Sequence, residues 1–268
     1  MTDLEGRKAL VTGSATGLGR SMAVKLAERG ADVIVNCSRS VADAEETVQM
    51  CKSLGVEAFL VQSDVSEPEG CRALADAAGD WGRLDILVNN AGTTKRVPNH
   101  ADLGGLTRED FLHLYAVNVA GPFLMVQACE ALLRAAHAET GRAASVLNTS
   151  SIAGVTGIGS SVAYAASKGA LNTLTLSLAR ALAPAIRVNA ICPGYIDTRW
   201  FSDHMEEDKY LALRQSVADA TPLKAASTPD DIADAALFFV SDAARHVTGE
   251  TLLADPGTHL GFAPMTRR

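Results

Sequence analysis

Tyr164 and Lys168 stand four apart in Tyr164-Ala165-Ala166-Ser167-Lys168, a spacing that puts both side chains on one face of a helix. A tyrosine hydroxyl ordinarily titrates near ~10 and carries protons poorly at neutral pH. An ammonium one turn away would stabilise the phenolate and bring the hydroxyl toward the range useful for proton transfer. Thirteen residues before the tyrosine lies Ser151, just past an apolar run, with a hydroxyl that could hold a substrate oxygen. The Tyr-x-x-x-Lys pattern is common by chance. Its weight comes from the serine and from a second motif near the start of the chain.

That motif is Thr12-Gly13-Ser14-Ala15-Thr16-Gly17-Leu18-Gly19, which joins an apolar run to a helical pattern. Glycines at such a junction let the backbone turn sharply and approach a pyrophosphate, whose charge is stabilised at a helix N-terminus. The spacing alone also fits a tight turn without a ligand. A strand before it, and a helix and second strand after it, point to a dinucleotide. NAD sites usually place an acid at the end of that second strand to hold the ribose 2′-hydroxyl. Here the position reads Asn36-Cys37-Ser38-Arg39-Ser40, with no acid before Asp43. Arg39 could pair with a 2′-phosphate, so NADP(H) is favoured, with Ser38 beside it, and NAD(H) stays open. The plainer alternative is a solvated Arg39.

The elements that must position these groups read as short apolar strands alternating with helices. The strand candidates are Lys8–Val11, Asp32–Asn36, Ala58–Gln62, Ile86–Asn89, Ala144–Asn148, Arg187–Cys192 and Thr251–Ala254. Nearly continuous apolar runs are what strands buried on both faces require. Thr107-x-x-Asp110 and Thr228-Pro229-Asp230-Asp231 open helices, and Gly30 closes one. Long helices are expected at Thr107–Ala138 and Ser161–Ala183. The fold class is α/β: one Rossmann-type, doubly wound parallel sheet of about seven strands, helices on both faces, in a single domain over residues 1–268. Two stretches break the alternation. Lys95–Leu106 reads as a loop, and 197–221 as a polar, amphipathic insertion covering a substrate.

Composition narrows the class. The 268 residues are 47% hydrophobic and 21% charged, with a formal net charge of -7. A negative chain is a poor partner for nucleic acid or an anionic membrane, so neither is expected. No apolar run is expected to approach bilayer-spanning length, and Met1-Thr2-Asp3-Leu4-Glu5 lacks the pattern of a secretion signal. Cys37, Cys51, Cys71, Cys129 and Cys192 show no paired spacing and read as reduced, packed thiols of a cytoplasmic protein. The six histidines lack metal-ligand spacing, so no metal is expected; His100 and His204 read as solvated loop residues.

With these motifs in order, the chain resembles the short-chain dehydrogenase/reductase family over nearly its full length, in particular 3-oxoacyl-ACP reductase and glucose dehydrogenase-like members. The matching residues are Thr12–Gly19, Asp64-Val65, Asn89-Asn90-Ala91-Gly92, Asn118, Ser151, Tyr164-x-x-x-Lys168 and Pro193-Gly194-Tyr195-Ile196-Asp197-Thr198. The resemblance implies nucleotide contacts from Gly13, Ser14, Thr16, Gly17, Leu18 and Gly19. It also implies adenine contacts from Asp64 and Val65, and a groove lined by Asn90, Ala91 and Gly92. Ile196 and Thr198, following Pro193 and Gly194, would hold the nicotinamide carboxamide. Tyr164 would exchange a proton with a ketone or secondary alcohol whose oxygen Ser151 orients. Lys168 would bind the ribose, and Asn118 would position a relay water. Family spacing favours Ser151 over Ser150, and Asn148 reads as structural.

Tyr195 and Trp200, with Phe201 and Met205, suggest an apolar substrate wall; Lys95 and Arg96 could instead meet an anionic substrate. The family also implies a homotetramer (or homodimer) built through the long helices. Two positions depart from the pattern: Lys95–Leu106 runs longer than in typical members, and Asp255-Pro256-Gly257 stands where relatives often carry Asn-Gly-Gly. A non-catalytic NAD(P)-binding sensor on the same fold is the alternative function.

Overall fold

The apolar runs form strands because helices cover them on both faces. A computed structural model describes residues 3–97, 99–199 and 205–261. Its strands are β1 (Lys8–Val11), β2 (Asp32–Cys37), β3 (Ala58–Gln62), β4 (Ile86–Asn89), β5 (Ala144–Thr149), β6 (Ile186–Pro193) and β7 (Thr251–Ala254). All pair in parallel, in the order β3-β2-β1-β4-β5-β6-β7. β2 and β5 extend one residue beyond their apolar runs, and β6 one residue at each end, because the end residues complete ladder pairs, such as Cys37 with Gln62 and Thr149 with Ile191.

Alternate residues of a strand serve opposite faces. Ala9 and Val11 join the cluster formed with α1 (Gly17–Glu28), α2 (Val41–Ser53) and the helix Pro229–Val240, while Leu10 joins the other cluster. That second cluster is built on α3 (Pro68–Gly79), on α5 (Gly121–Thr140) and on a 21-residue helix, Val162–Leu182. The remaining helices are α4 (Arg108–Tyr115), the short α6 (Ala153–Thr156) and Glu207–Ala220. In chain order the last three long helices are α7 (Val162–Leu182), α8 (Glu207–Ala220) and α9 (Pro229–Val240). Both Thr-led capping boxes form, at Thr107 with Asp110 and at Thr228 with Asp231.

Two expectations change. The run Arg108–Thr140 is one 33-residue helical stretch, long and apolar enough to cross a membrane by length and composition, so such a run does exist. Its apolarity has a packing reason, since Met125, Cys129 and Leu133 lie against the sheet. Nor is the stretch uniform: a π turn at Ala116–Ala120 separates α4 from α5. The five thiols are all buried, and burial pushes Cys51 and Cys71 up to about 11 and Cys129 to about 12.

The chain winds outward from β1 to β3 and returns to β4 on the other side of β1. Loops leaving the carboxyl ends of β1 and β4 therefore diverge, and the crevice between them is where such sheets bind ligands.

Candidate active site

The loop after β1 is shaped by backbone contacts that exclude side chains. Gly13 has a φ of +61°, and a Cβ there would stand 2.8 Å from Ala91 Cα. At Gly19 a Cβ would lie 2.3 Å from Gly13 O and 2.4 Å from Asn90 Nδ2. Asn36, at the end of β2, ties the loop down. Its Oδ1 accepts from Gly13 N at 3.1 Å, its backbone O accepts from Ser14 N at 2.8 Å, and its Nδ2 donates to Val61 O and Ser63 O at 3.1 Å. On the other side Thr12 Oγ1 accepts from Asn90 N and Ala91 N at 3.0 Å, and Asn90 Nδ2 donates to Gly13 O at 2.9 Å. The buried side chains of the loop, Thr12 and Ser14, thus have partners inside the fold. What remains facing outward is a concave glycine surface at the N-terminus of α1, whose first turn carries no acid. That surface fits a pyrophosphate.

The loop opens into a cleft of about 910 Å³ running along the carboxyl ends of the strands. Of the residues expected at the nucleotide, Gly13, Thr16, Gly17, Leu18, Gly19, Ser38, Arg39, Asp64, Val65, Asn90, Ala91, Gly92, Pro193, Gly194, Ile196 and Thr198 all line it. Ser14 does not. Its Oγ donates to Val11 O at 2.7 Å and accepts from Asn36 N at 3.0 Å, so it is a fully buried brace beneath the loop. Ser38 and Arg39 are exposed at one end. Nearby, hydrogen bonds from Ser66 hold the Asp64 carboxyl below the usual range, with Arg39 and His113 adding attraction. Arg199, also on the cleft wall, forms an ion pair with Asp43 at 2.8 Å.

Ser151, Tyr164 and Lys168 meet at the middle of this cleft. Ser151 leaves the end of β5 and its Oγ accepts from Ala153 N at 3.1 Å. Tyr164 and Lys168 lie on α7, whose start is fixed by Ser161 accepting from Tyr164 N at 3.2 Å. Lys168 is buried, its Nζ donating to Thr149 O at 2.7 Å and lying 5.8 Å from the Tyr164 ring centroid. Ser150 donates to Lys168 O at 3.2 Å and Asn148 Nδ2 donates to Thr175 at 2.9 Å, so both brace β5 against α7.

The charge balance differs from the one read off the spacing. Burial pushes the Tyr164 hydroxyl up, only partly offset by its hydrogen bond with Ser151. Burial also brings the Lys168 ammonium down to about 8. Desolvation outweighs the Ser151 hydrogen bond, which favours a phenol that keeps its proton at neutral pH.

Asn118 stands behind the wall, fully buried within the π turn. Its Nδ2 donates to Thr93 O and Ser167 Oγ at 3.0 Å, and its Oδ1 accepts from Thr93 N at 2.9 Å. The turn fastens the strand-β4 loop to α7. Wide turns of this kind cluster at functional sites.

Past Tyr164 the cleft is walled by loops. Tyr195 lines it, while Trp200, Phe201 and His204 lie outside the described residues. Lys95 pairs with Asp110 at 3.4 Å, whereas Arg96 lines the cleft. The 95–106 loop is strapped to 157–160: Val97 N donates to Ser160 O at 2.8 Å, Thr94 and Ser160 share a hydroxyl hydrogen bond, and His100 Nε2 bonds Gly159 O at 2.8 Å. His100 is therefore a strap residue and not merely a solvated one. Helix α8 buries none of its side chains and is moored by Arg214 to Asp197 at 2.8 Å. Asp255 is buried, bonded to His259 Nδ1 at 2.9 Å, and packs so close to Gly194 that a Cβ there would meet its own Cβ at 2.8 Å.

Sequence reasoning did not single out the knot at Asn36, nor Thr93, His113, Val117, Ile158, Ser160 or Arg199 on the wall. A buried amide ending an apolar strand was the one available signal, because it demands partners.

The family model described as Enoyl-(Acyl carrier protein) reductase matches residues 13–259. The chain is 41% identical over 257 residues to the "Granaticin polyketide synthase putative ketoacyl reductase 2" of Streptomyces violaceoruber, covering 96% of this chain and 97% of that protein. It is 36% identical over 262 residues to glucose 1-dehydrogenase 2 of Bacillus subtilis, covering 96% of each. Among solved structures, the Pseudomonas aeruginosa RhlG/NADP active-site complex superposes with a TM-score of 0.86 at 31% identity, covering 96% of this chain and 98% of that one. The chain belongs to the short-chain dehydrogenase/reductase family, whose oxidoreductases bind NAD(P)(H).

Proposed function

We propose that this protein is an NADP(H)-dependent carbonyl reductase or alcohol dehydrogenase acting on a ketone/secondary alcohol pair. One observation carries the reading: Ser151, Tyr164 and Lys168 converge on the same cleft as the glycine cradle. Gly13, Gly17 and Gly19 with the α1 N-terminus would hold the pyrophosphate, and Arg39 with Ser38 would meet the 2′-phosphate. When bound, the nicotinamide supplies a hydride to the carbonyl carbon. Ser151 orients the substrate oxygen, and Tyr164 donates its hydroxyl proton to that oxygen. A phenol held in its protonated form by burial suits the reducing direction. Lys168 keeps the ribose and the phenol in register, and Asn118 fixes the loop behind them. Exposed Phe111, Leu112, Tyr115 and Phe123 on α4 and α5 support assembly into a homotetramer or homodimer.

The test is a panel of ketones run with NADPH and with NADH, on the wild type and on Tyr164→Phe. Turnover with NADPH is expected, and the substitution should lower it about 10²- to 10⁴-fold while nucleotide binding persists. Full turnover by the variant would sink the assignment of Tyr164. Nucleotide binding without turnover on any ketone would favour the sensor.

A further inference from the structure

We propose that Ile158 contacts the substrate, presenting a fixed apolar wall to the non-reacting flank of an apolar ketone, and that the hydrogen bonds from Thr94, Val97 and His100 hold it in place. This rests on the ketone-reducing reading above. Ile158 is 74% exposed, yet it lines the cleft beside Ser151 and Tyr164. The backbone around it is pinned on both sides. Gly157 ends α6 in the left-handed region, and Ile158 N donates to Thr156 Oγ1 at 3.2 Å. Beyond it, Gly159 O is bonded by His100 and Ser160 O by Val97 N, each at 2.8 Å.

The segment also sits directly on the proton donor. A Cβ at Gly159 would lie 2.8 Å from Ala153 Cβ and 3.3 Å from Tyr164 Cδ1. An apolar side chain left in water while its backbone is tied costs free energy that a ligand can recover by covering it. The next residue along, Gly159, packs against the Tyr164 ring, whose hydroxyl handles the substrate oxygen in the proposed reaction. The group that Ile158 covers is therefore the flank attached to the reacting carbon. Selectivity then grows with the apolar area of that flank.

The experiment measures kcat/KM for a series of methyl ketones with progressively longer alkyl flanks, using the full chain and NADPH. In the wild type kcat/KM should rise along the series. Ile158→Ala should cut the long-to-short ratio on the order of ten-fold, and Ile158→Leu should restore most of it. His100→Ala should raise KM for the long ketones more than it lowers kcat, because it loosens the wall without touching the proton path. Thermal unfolding and NADPH binding report whether each variant is folded. A wild type that turns over ketones with a ratio unmoved by Ile158→Ala overturns this inference alone. A wild type that turns over none of them overturns the reading it rests on, and this inference with it.

Discussion

The two halves of the cleft are built in opposite ways. On the nucleotide side, backbone and a buried amide settle the shape: Asn36, Thr12 and Asn90 engage the loop, and glycines stand where any Cβ would collide. On the substrate side, α8 buries no side chain and the wall consists of exposed and half-buried loop residues held by a few long-range hydrogen bonds. The first arrangement tolerates almost no change, as suits a ligand of fixed shape. The second allows side chains to vary without disturbing a core, as suits a site whose ligand differs among relatives. Lys168 sits at the seam, buried like the first half and lining the cleft beside the second.

Substitutions can break this contrast in order of effect. The largest is at the seam. Burial lowers Lys168 from 10.5 to about 8, so between those values the unfolded chain holds a proton that the folded chain does not. Stability must therefore rise with pH across that window and fall as pH drops toward 8. Against Lys168→Met, the wild type should gain about 3 kcal/mol between pH 7 and pH 11 in chemical denaturation. Parallel profiles would show that the ammonium is better solvated than its surroundings imply. Next is Gly19→Ala, which forces a methyl group onto Gly13 O and Asn90 Nδ2. It should lower stability by about 1–3 kcal/mol and weaken nucleotide binding at least ten-fold by titration. A mild effect would mean that the rigid half gives way more readily than its contacts suggest. Smallest is Arg39→Ala, an exposed side chain at the rim. It should raise the Kd for NADPH roughly ten-fold and leave NADH nearly unmoved. Equal loss for both nucleotides would remove the basis for an NADP preference.

Much of this architecture was legible because it rests on local pattern. Strands buried on both faces leave continuous apolar runs, and a sharp approach of backbone to ligand leaves glycines. Tyr164 and Lys168 were legible because helical spacing puts them side by side. What escaped the sequence depends on distant partners. Ala116-Val117-Asn118-Val119-Ala120 reads as ordinary helix, and only the bonds from Asn118 to Thr93 and Ser167 accompany its wider turn. The strap joins residues about 60 positions apart, which no periodicity reveals. The direction of the Tyr164 shift was missed for a related reason. Spacing shows which charge is near, but burial is a property of the assembled fold, and here burial prevails.

The buried thiols have a consequence for watching the molecule open. Cys37 and Cys51 belong to the packing on one face of the sheet, and Cys71 and Cys129 to that on the other. A thiol-reactive reagent meets Cys51, Cys71 and Cys129 only when a helix lifts away, so their modification counts opening events rather than surface area. Labelling resolved by position would thus time the two helical layers separately, with the chain's own sulfur atoms as the clock.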